Sequence, residues 1–358
     1  MDLNEYKNIL EETILNEYPV YFQKSIIQML EERKIVFNDK RRKNNENLLD
    51  LTRYTKEKEK LKAVFNETNN IVKCCEYFEY IRAYRYCAIF RMKNFDKNII
   101  NDLIKSKKVI QVNEDIDYND ILEIVAYKPT YKQDENYIYL KFNFVLNNRE
   151  DNFKKIKYPV LVIINKDMNI FEIRLDTISF KYKDNENFYK DKIGKVNAWV
   201  VSYLKCQVLN IDFQAITRYM KNEKKDDVTI VALKMKRDGT IAFLDSASND
   251  EMIIPILGEL KNIVSLNKEL FNKTTDTIKI KTIIEDFISE VEETSDLPSV
   301  KILWHKEKIK LLAMHGYKEE DYSLFKYSDE LGDKERMDYV TKYFIECEKQ
   351  ARESIGLK

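Results

Sequence analysis

The chain has 358 residues, 44% hydrophobic and 34% charged, so it is long enough to bury a substantial core in one large domain or two smaller ones. Its 61 basic residues balance 61 acidic ones, which excludes the global positive field typical of dedicated nucleic-acid-binding proteins. The longest apolar runs, such as residues 158–164, are far shorter than the roughly 20 residues of a membrane span. The start of the chain has no basic segment followed by an apolar block, so we expect a cytoplasmic protein with no membrane partner.

The N-terminal region is predicted to be mainly helical. Asp2 and Glu5 have the spacing of a capping box, and apolar residues then recur every three or four positions until Pro19. A second helix follows, and helical patterns return at 48–65 and at about 70–85, before a strand at CAIFRM. Residues 1–115 are therefore predicted to form a helical region with a basic, tyrosine-rich face.

From about residue 120 the period changes from helical to alternating. Residues 122–146 have the pattern of a hairpin, and three similar hairpins follow. These three are predicted at 160–179, 228–248 and 300–316, and the helices at 186–206, 252–271, 276–293 and 333–355. Hairpins interleaved with helices indicate the α+β class, with an α+β domain over 116–358 that ends in an amphipathic helix.

Several chemistries are excluded by residue spacing. The closest glycines, Gly316 and Gly332, lie 16 residues apart, so neither a Walker loop nor a dinucleotide fingerprint can be written. His305 and His315 are the only histidines, which excludes His-rich zinc sites, and His315 as a general base competes with an ordinary hydrogen-bonded role. Five cysteines without an export signal indicate reduced thiols. We expect no cofactor and no metal, and no motif assigns the chain to a family.

One segment resembles the site of a metal-dependent nuclease of the PD-(D/E)xK type. Asp245 follows a strand-like run, and Glu259 and Lys261 follow an apolar run. Such a site needs the Glu and the Lys on one strand, where residues two apart face the same way. Apolar residues around them repeat with helical spacing, which favours a helix over 255–271. The nuclease is therefore the alternative hypothesis, and a non-enzymatic protein is preferred.

Three charged residues are also predicted to share one strand face. Glu172, Arg174 and Asp176 alternate along NIFEIRLD, with Arg where a nuclease motif would have Lys. Arg is a poorer general base than Lys, because it stays protonated. The pattern is therefore interpreted as the solvated side of a half-buried strand.

A local excess of basic residues lies between residues 82 and 108, where Asp96 and Asp102 are the only acids. Tyrosines at helical spacing accompany its first arginines, and rings beside guanidinium groups can contact bases and phosphates. The later basic residues of this segment are Lys97, Lys105, Lys107 and Lys108. A second basic cluster occupies 40–43. The candidate nucleic-acid-binding residues are Lys40, Arg41, Arg42, Lys43, Tyr80, Arg82, Tyr84, Arg85, Arg91 and Lys93.

The last helix carries one apolar stripe, formed by Met337, Val340, Phe344, Cys347 and Ala351. It is expected to pack on the protein's own sheet, with a protein partner or a homo-oligomer contact as the alternative.

Scarce glycine and abundant Lys, Asn, Ile and Tyr match AT-rich codons, as in low-G+C bacteria or their phages. The leading hypothesis is a bacterial accessory protein, in phage defence or a mobile element, that binds DNA or RNA through its basic face. A protein–protein scaffold is a further alternative.

Overall fold

The structure is a computed structural model that describes residues 2–39, 41, 48–112, 128–151, 153–237, 240–245, 255–328 and 334–354. Contacts divide the chain into two compact units, the first formed by residues 1–211 with 331–334 and the second by residues 212–330 with 335–358. The boundary predicted between residues 115 and 116 lies outside the described residues.

Helices and antiparallel strands are both abundant, which confirms the predicted α+β class. The helices are α1 Leu3–Glu12, α2 Val20–Glu32, α3 Glu57–Glu67, α4 Asn70–Ile81, α5 Ile99–Lys105, α6 Phe188–Leu204, α7 Phe213–Glu223, α8 Pro255–Leu266, α9 Lys268–Phe271, α10 Thr275–Thr294 and α11 Glu335–Ser354. Within the described residues, none of them combines the length and the apolar character that a bilayer span requires.

The strands follow the predicted hairpins. They are β1 Val36–Phe37, β2 Leu49–Asp50, β3 Tyr86–Lys93, β4 Ile110–Gln111, β5 Thr130–Gln133, β6 Tyr137–Asn147, β7 Lys155–Asn165, β8 Ile170–Leu175, β9 Gln207–Asn210, β10 Val228–Arg237, β11 Thr240–Asp245, β12 Asp296–Trp304, β13 Lys310–Met314 and β14 Leu324–Tyr327. In the first unit the strand order is β4-β5-β6-β7-β8-β3-β9, and in the second it is β11-β10-β12-β13-β14. The pair β4-β5 is parallel, and the other pairs in these two lists are antiparallel.

Side chains that bind their own backbone set the turns of the first unit. The Asn165 side-chain oxygen accepts from the backbone N–H groups of Asp167 and Met168, both at 2.9 Å, and this closes the turn between β7 and β8. Asn169 completes that turn with φ 52°, a left-handed conformation that Asn tolerates. Asp134 plays the same part before β6, accepting from the N–H of Tyr137 at 2.8 Å. The hairpins predicted from the alternating pattern therefore form.

The sheet of the first unit has two buried faces of different character. Cross-strand partners share a face, so the register of Lys141, Leu161 and Arg174 places these three side chains on the face covered by α4. The opposite face is apolar and lies under α6, where the rings of Phe142 and Trp199 meet at 5.2 Å between centroids. The charged face positions the groups described in the next subsection.

The N-terminal helices form where the pattern predicts them, but α3 begins later and α4 ends earlier than predicted. The Asp2 side chain caps α1 by accepting from the N–H of Glu5 at 2.8 Å, and Pro19 precedes α2. The helix predicted over 48–65 begins only at Glu57. Residues before it pair with β1 instead, and the Asp50 side chain binds the N–H of Thr52 at 2.8 Å, which favours a turn over a helix.

In the second unit, the stripe of the last helix lies in the core, which confirms the packing expected for it. Met337, Val340, Phe344 and Cys347 of α11 are at most 1% exposed. The Phe344 ring lies 5.1 Å from that of Phe325 on β14, and further aromatic rings surround it. The unit's own sheet covers these four side chains, so they are not exposed to a partner.

Candidate nucleic-acid interface

Helix α4 presents two buried glutamates to the charged face of the sheet. Lys141 on β6 lies with its Nζ 2.6 Å from Glu76 Oε2 and 2.7 Å from Glu79 Oε2. Lys157 on β7 approaches the same carboxylates, at 2.5 Å from Glu79 Oε2, and Tyr6 donates a hydrogen bond to Glu76. The four charged side chains are at most 3% exposed. We name Glu76, Glu79, Lys141 and Lys157 the buried ion cluster.

Opposite charges favour the ionised forms of Glu76 and Lys141. Burial raises the pKa of the Glu76 carboxyl, but the ammonium groups of Lys141 and Lys157 outweigh that effect and lower the pKa to about 2. Burial likewise lowers the pKa of Lys141, and the two glutamates reverse this and raise it above its ordinary value. Two negative and two positive charges balance, so the cluster fastens α4 to β6 and β7.

Three of the predicted nucleic-acid contacts lie in the interior. Tyr80, Arg82 and Tyr84 are at most 3% exposed, so they do not form a surface. A single helical stripe would place these residues on one helix face, but α4 ends at Ile81 and the extended backbone that follows turns Arg82 inward. There the guanidinium lies 2.5 Å from Asp176 Oδ2 and 3.9 Å from the centroid of the Tyr84 ring.

The remaining predicted contacts are scattered. Outside the described residues lie Lys40, Arg42 and Lys43. Arg41 is exposed, whereas Arg85 and Arg91 are half-buried and Lys93 is exposed at the end of β3. Arg85 lines the same cavity as Arg82 and Asp176, whereas Arg41, Arg91 and Lys93 are not among the residues that line it.

A tighter basic group lies at the end of α5, among residues that the sequence placed in the same segment. Lys105, Lys107 and Lys108 are all exposed. The N–H of Lys108 binds the carbonyl of Leu103 at 2.8 Å and that of Lys107 binds Ile104 at 3.0 Å, a Schellman pattern with Lys107 at φ 52°. Cations suit this position, because a helix C-terminus is partly negative. We name these three lysines the α5 lysines.

An aromatic pair of α6 lies beside the α5 lysines. The Nζ of Lys108 is 5.9 Å from the centroid of the Tyr203 ring. That half-buried ring stacks on Trp199 with 4.9 Å between centroids and 27° between planes. Helices α5 and α6 contact one another, which holds the ammonium groups near the ring. Cations that can bind phosphate thus lie next to a ring that can stack on a base.

The nuclease alternative lacks the strand that its chemistry needs. Positions 259 and 261 both lie on α8, where residues two apart are separated by about 200° around the helix axis. Asp245 ends β11. The helix predicted over 255–271 forms as α8 and α9, with a break at Asn267.

His315 has the ordinary hydrogen-bonded role considered for it. It is 6% exposed, and its Nδ1 lies 2.7 Å from Ser323 Oγ. Burial lowers the pKa of the imidazole to about 4, and the nearby Arg218 contributes in the same direction against the opposing effect of Asp212. At neutral pH His315 is therefore an uncharged core residue.

The solvated strand face predicted for Glu172, Arg174 and Asp176 is wrong. Glu172 and Arg174 are buried and pair with one another, with Arg174 Nε 3.0 Å from Glu172 Oε1, and Asp176 pairs with Arg82. The Glu172 and Arg174 side chains are buried because α4 covers this face of the sheet. A charged pair can be removed from water in this way when its two members neutralise each other.

Sequence reasoning missed the buried ion cluster, although the chain carries a signal for it. Glu76 and Glu79 are three residues apart in a mainly apolar helix, and Lys141 interrupts an aromatic strand. A single charge among large apolar residues on a buried element requires an opposite charge nearby. The sequence therefore indicates buried ions, but not which of them pair.

No protein-family model matches the chain, and no curated protein matches it in sequence. The function is therefore inferred from the protein's own side chains.

Proposed function

We propose that the protein binds single-stranded nucleic acid without catalysis, through the α5 lysines and Tyr203. The observation that carries this is the position of Lys108 Nζ, 5.9 Å from the Tyr203 ring at an exposed helix end. Ammonium groups attract phosphates, and a stacked base adds about 1–3 kcal/mol per aromatic side chain. The α5 lysines make no ion pair within the described residues, so their charge is available to a polyanion.

Removal of the three charges tests the electrostatic part. Changing Lys105, Lys107 and Lys108 together to Gln keeps the side-chain length and removes three positive charges. Fluorescence anisotropy with labelled single-stranded DNA and RNA should show weaker binding, and the slope of log K against log salt should flatten by about 2, since each phosphate contact contributes about 0.7. Duplex DNA of the same sequence should bind more weakly, because its bases are not available for stacking.

A matched control lies in the hairpin between β12 and β13. Lys306, Lys308 and Lys310 are also exposed, and Lys308 has φ 52° like Lys107. Their joint change to Gln removes the same charge and should leave affinity and salt slope unchanged. An equal loss in both variants, or no retention of nucleic acid by the unchanged protein at low salt, would contradict the proposal.

The stacking part has its own variant. Tyr203→Leu should weaken binding by about 1–3 kcal/mol while leaving the salt slope as it is, because a ring is removed and no charge is lost. Val201→Leu changes an exposed residue of the same helix, α6, and serves as the control.

The proposal places the protein in the bacterial cytoplasm, in an accessory system such as phage defence. What supports this part is the composition, with scarce glycine, abundant lysine and asparagine, and five cysteines that are all free thiols. Induction of the gene during phage infection, and loss of protection on its deletion, would test it.

A further inference from the structure

The helices α8, α9 and α10 expose an unusual share of apolar surface. Of the thirteen large hydrophobic side chains that are exposed in the described part of the chain, seven lie within residues 263–287. Leu266 on α8 and Leu270 on α9 are 85% and 62% exposed. Exposed apolar side chains that are gathered in this way mark an interaction surface, whereas scattered ones do not.

Helix α10 has an inner and an outer apolar stripe. The inner stripe, which includes Ile284 and the buried Ile288, faces α8 within the chain. The outer stripe consists of Ile280, Ile283 and Phe287, at spacings of three and four, and its members are 51%, 68% and 51% exposed. This spacing is the seam that one helix presents to another.

Charges beside the outer stripe identify the partner. Lys279 precedes Ile280 and Asp286 precedes Phe287, so the two charges lie on the same side of the stripe, seven residues apart. Both are exposed, and neither forms an ion pair with the residues that the structure describes. When the same helix is laid antiparallel along the stripe, each Lys279 meets the Asp286 of the other copy.

We propose that a second copy of this chain docks on the outer stripe, with the two α10 helices antiparallel about a twofold axis. A twofold interface requires a surface that is complementary to itself. The outer stripe meets this requirement, because its apolar side chains contact those of the other copy and each copy contributes one lysine and one aspartate to the ion pairs. The inference is independent of nucleic-acid binding, because it concerns the second unit alone.

Mass measurements test the apolar part on the full chain. Sedimentation velocity at micromolar concentration should give twice the 42.9 kDa chain mass. Ile283→Glu should raise the dimer dissociation constant about a hundredfold or more, because two carboxylates would enter one interface. The control is Phe180→Glu, which changes a 75% exposed ring of the first unit and should leave the dimer intact. Equal unfolding temperatures by circular dichroism would show that each variant folds.

A charge swap identifies the occupant as a second copy in this orientation. Lys279→Glu and Asp286→Lys should each raise the dissociation constant about tenfold, since each places like charges opposite one another. The double variant restores both pairs and should recover the original affinity. A monomeric unchanged chain would overturn the proposal, as would a dimer indifferent to Ile283→Glu. A monomer that floats with phosphatidylglycerol vesicles through this stripe would overturn it in favour of a lipid surface.

Discussion

At the scale of single residues, the buried ion cluster shows how a sheet can hold charges on a covered face. Each carboxylate lies within hydrogen-bond distance of both ammonium groups, so the desolvation cost of one ion is offset by two opposite charges. The stabilisation exists only while the set is complete. Loss of one member leaves an uncompensated charge between helix and sheet.

Lys157→Met is therefore expected to lower the free energy of unfolding by about 3–5 kcal/mol, as for other broken buried pairs. Chemical denaturation followed by circular dichroism measures it. The control is Lys155→Met on the same strand, because the Lys155 side chain is 43% exposed and its change should cost less than about 0.5 kcal/mol. Similar losses in the two variants would show that the cluster contributes little.

His315 gives the second unit a pH dependence of defined sign. Its pKa in the fold is about 4, below the ordinary value of 6.5, so the unfolded chain binds its proton more readily. The stability that it contributes is fully present above pH 6.5 and is lost as the pH falls toward 4, by up to about 3 kcal/mol.

The measurement compares the unchanged protein with His315→Gln at several pH values. The unchanged protein should lose more stability than the variant between pH 6.5 and 4, because only it carries the imidazole. A difference between the two that stays constant over that window would contradict the assignment.

Residue-level prediction succeeded where one residue and its neighbours in sequence decide the structure. The Asp2 cap is an example, since its partner is three residues away. It did not succeed for Arg82, whose partner Asp176 is 94 residues away. Whether Arg82 faces water or the core depends on that partner and on where α4 ends. Local periodicity predicts neither the partner nor the end of the helix.

At the scale of elements, the hairpins and most helices could be predicted because their signals are periodic and local. The start of α3 could not, because β2 forms by pairing with β1 and its two residues carry no period. The α5 lysines were visible as a charge run, but their proximity to Tyr203 depends on packing between α5 and α6.

The last helix supports a prediction at this scale. Phe344→Ala on α11 should destabilise the second unit by about 3–5 kcal/mol, because its ring lies 5.3 Å from Phe213 and 5.7 Å from Trp304. Thermal and denaturant unfolding measure the loss. The exposed Lys349→Ala on the same helix is the matched control, and a Phe344 variant as stable as that control would contradict the packing.

At the scale of the whole molecule, the division between residues 211 and 212 has no linker signal in the sequence. No run of Gly, Pro or Ser marks it, and the change of period near residue 120 falls inside the first unit. The first unit extends across this change of period because β3 pairs with β8, which joins segments about eighty residues apart into one sheet. Contacts between residues this far apart in sequence define the compact units, whereas periodicity predicts only single helices and strands.

The buried ion cluster also bears on how this sequence can change over generations. Glu76 and Glu79 come from one helix and Lys141 and Lys157 from two strands, so a neutral replacement in α4 leaves an ammonium group without its partner. Inherited substitutions at these four positions should therefore arrive in compensating sets, either all charged or all apolar. Two glutamates three apart in a mainly apolar helix, followed by one buried lysine in each of two neighbouring strands, form a pattern by which distant relatives can be sought even where the rest of the chain has diverged.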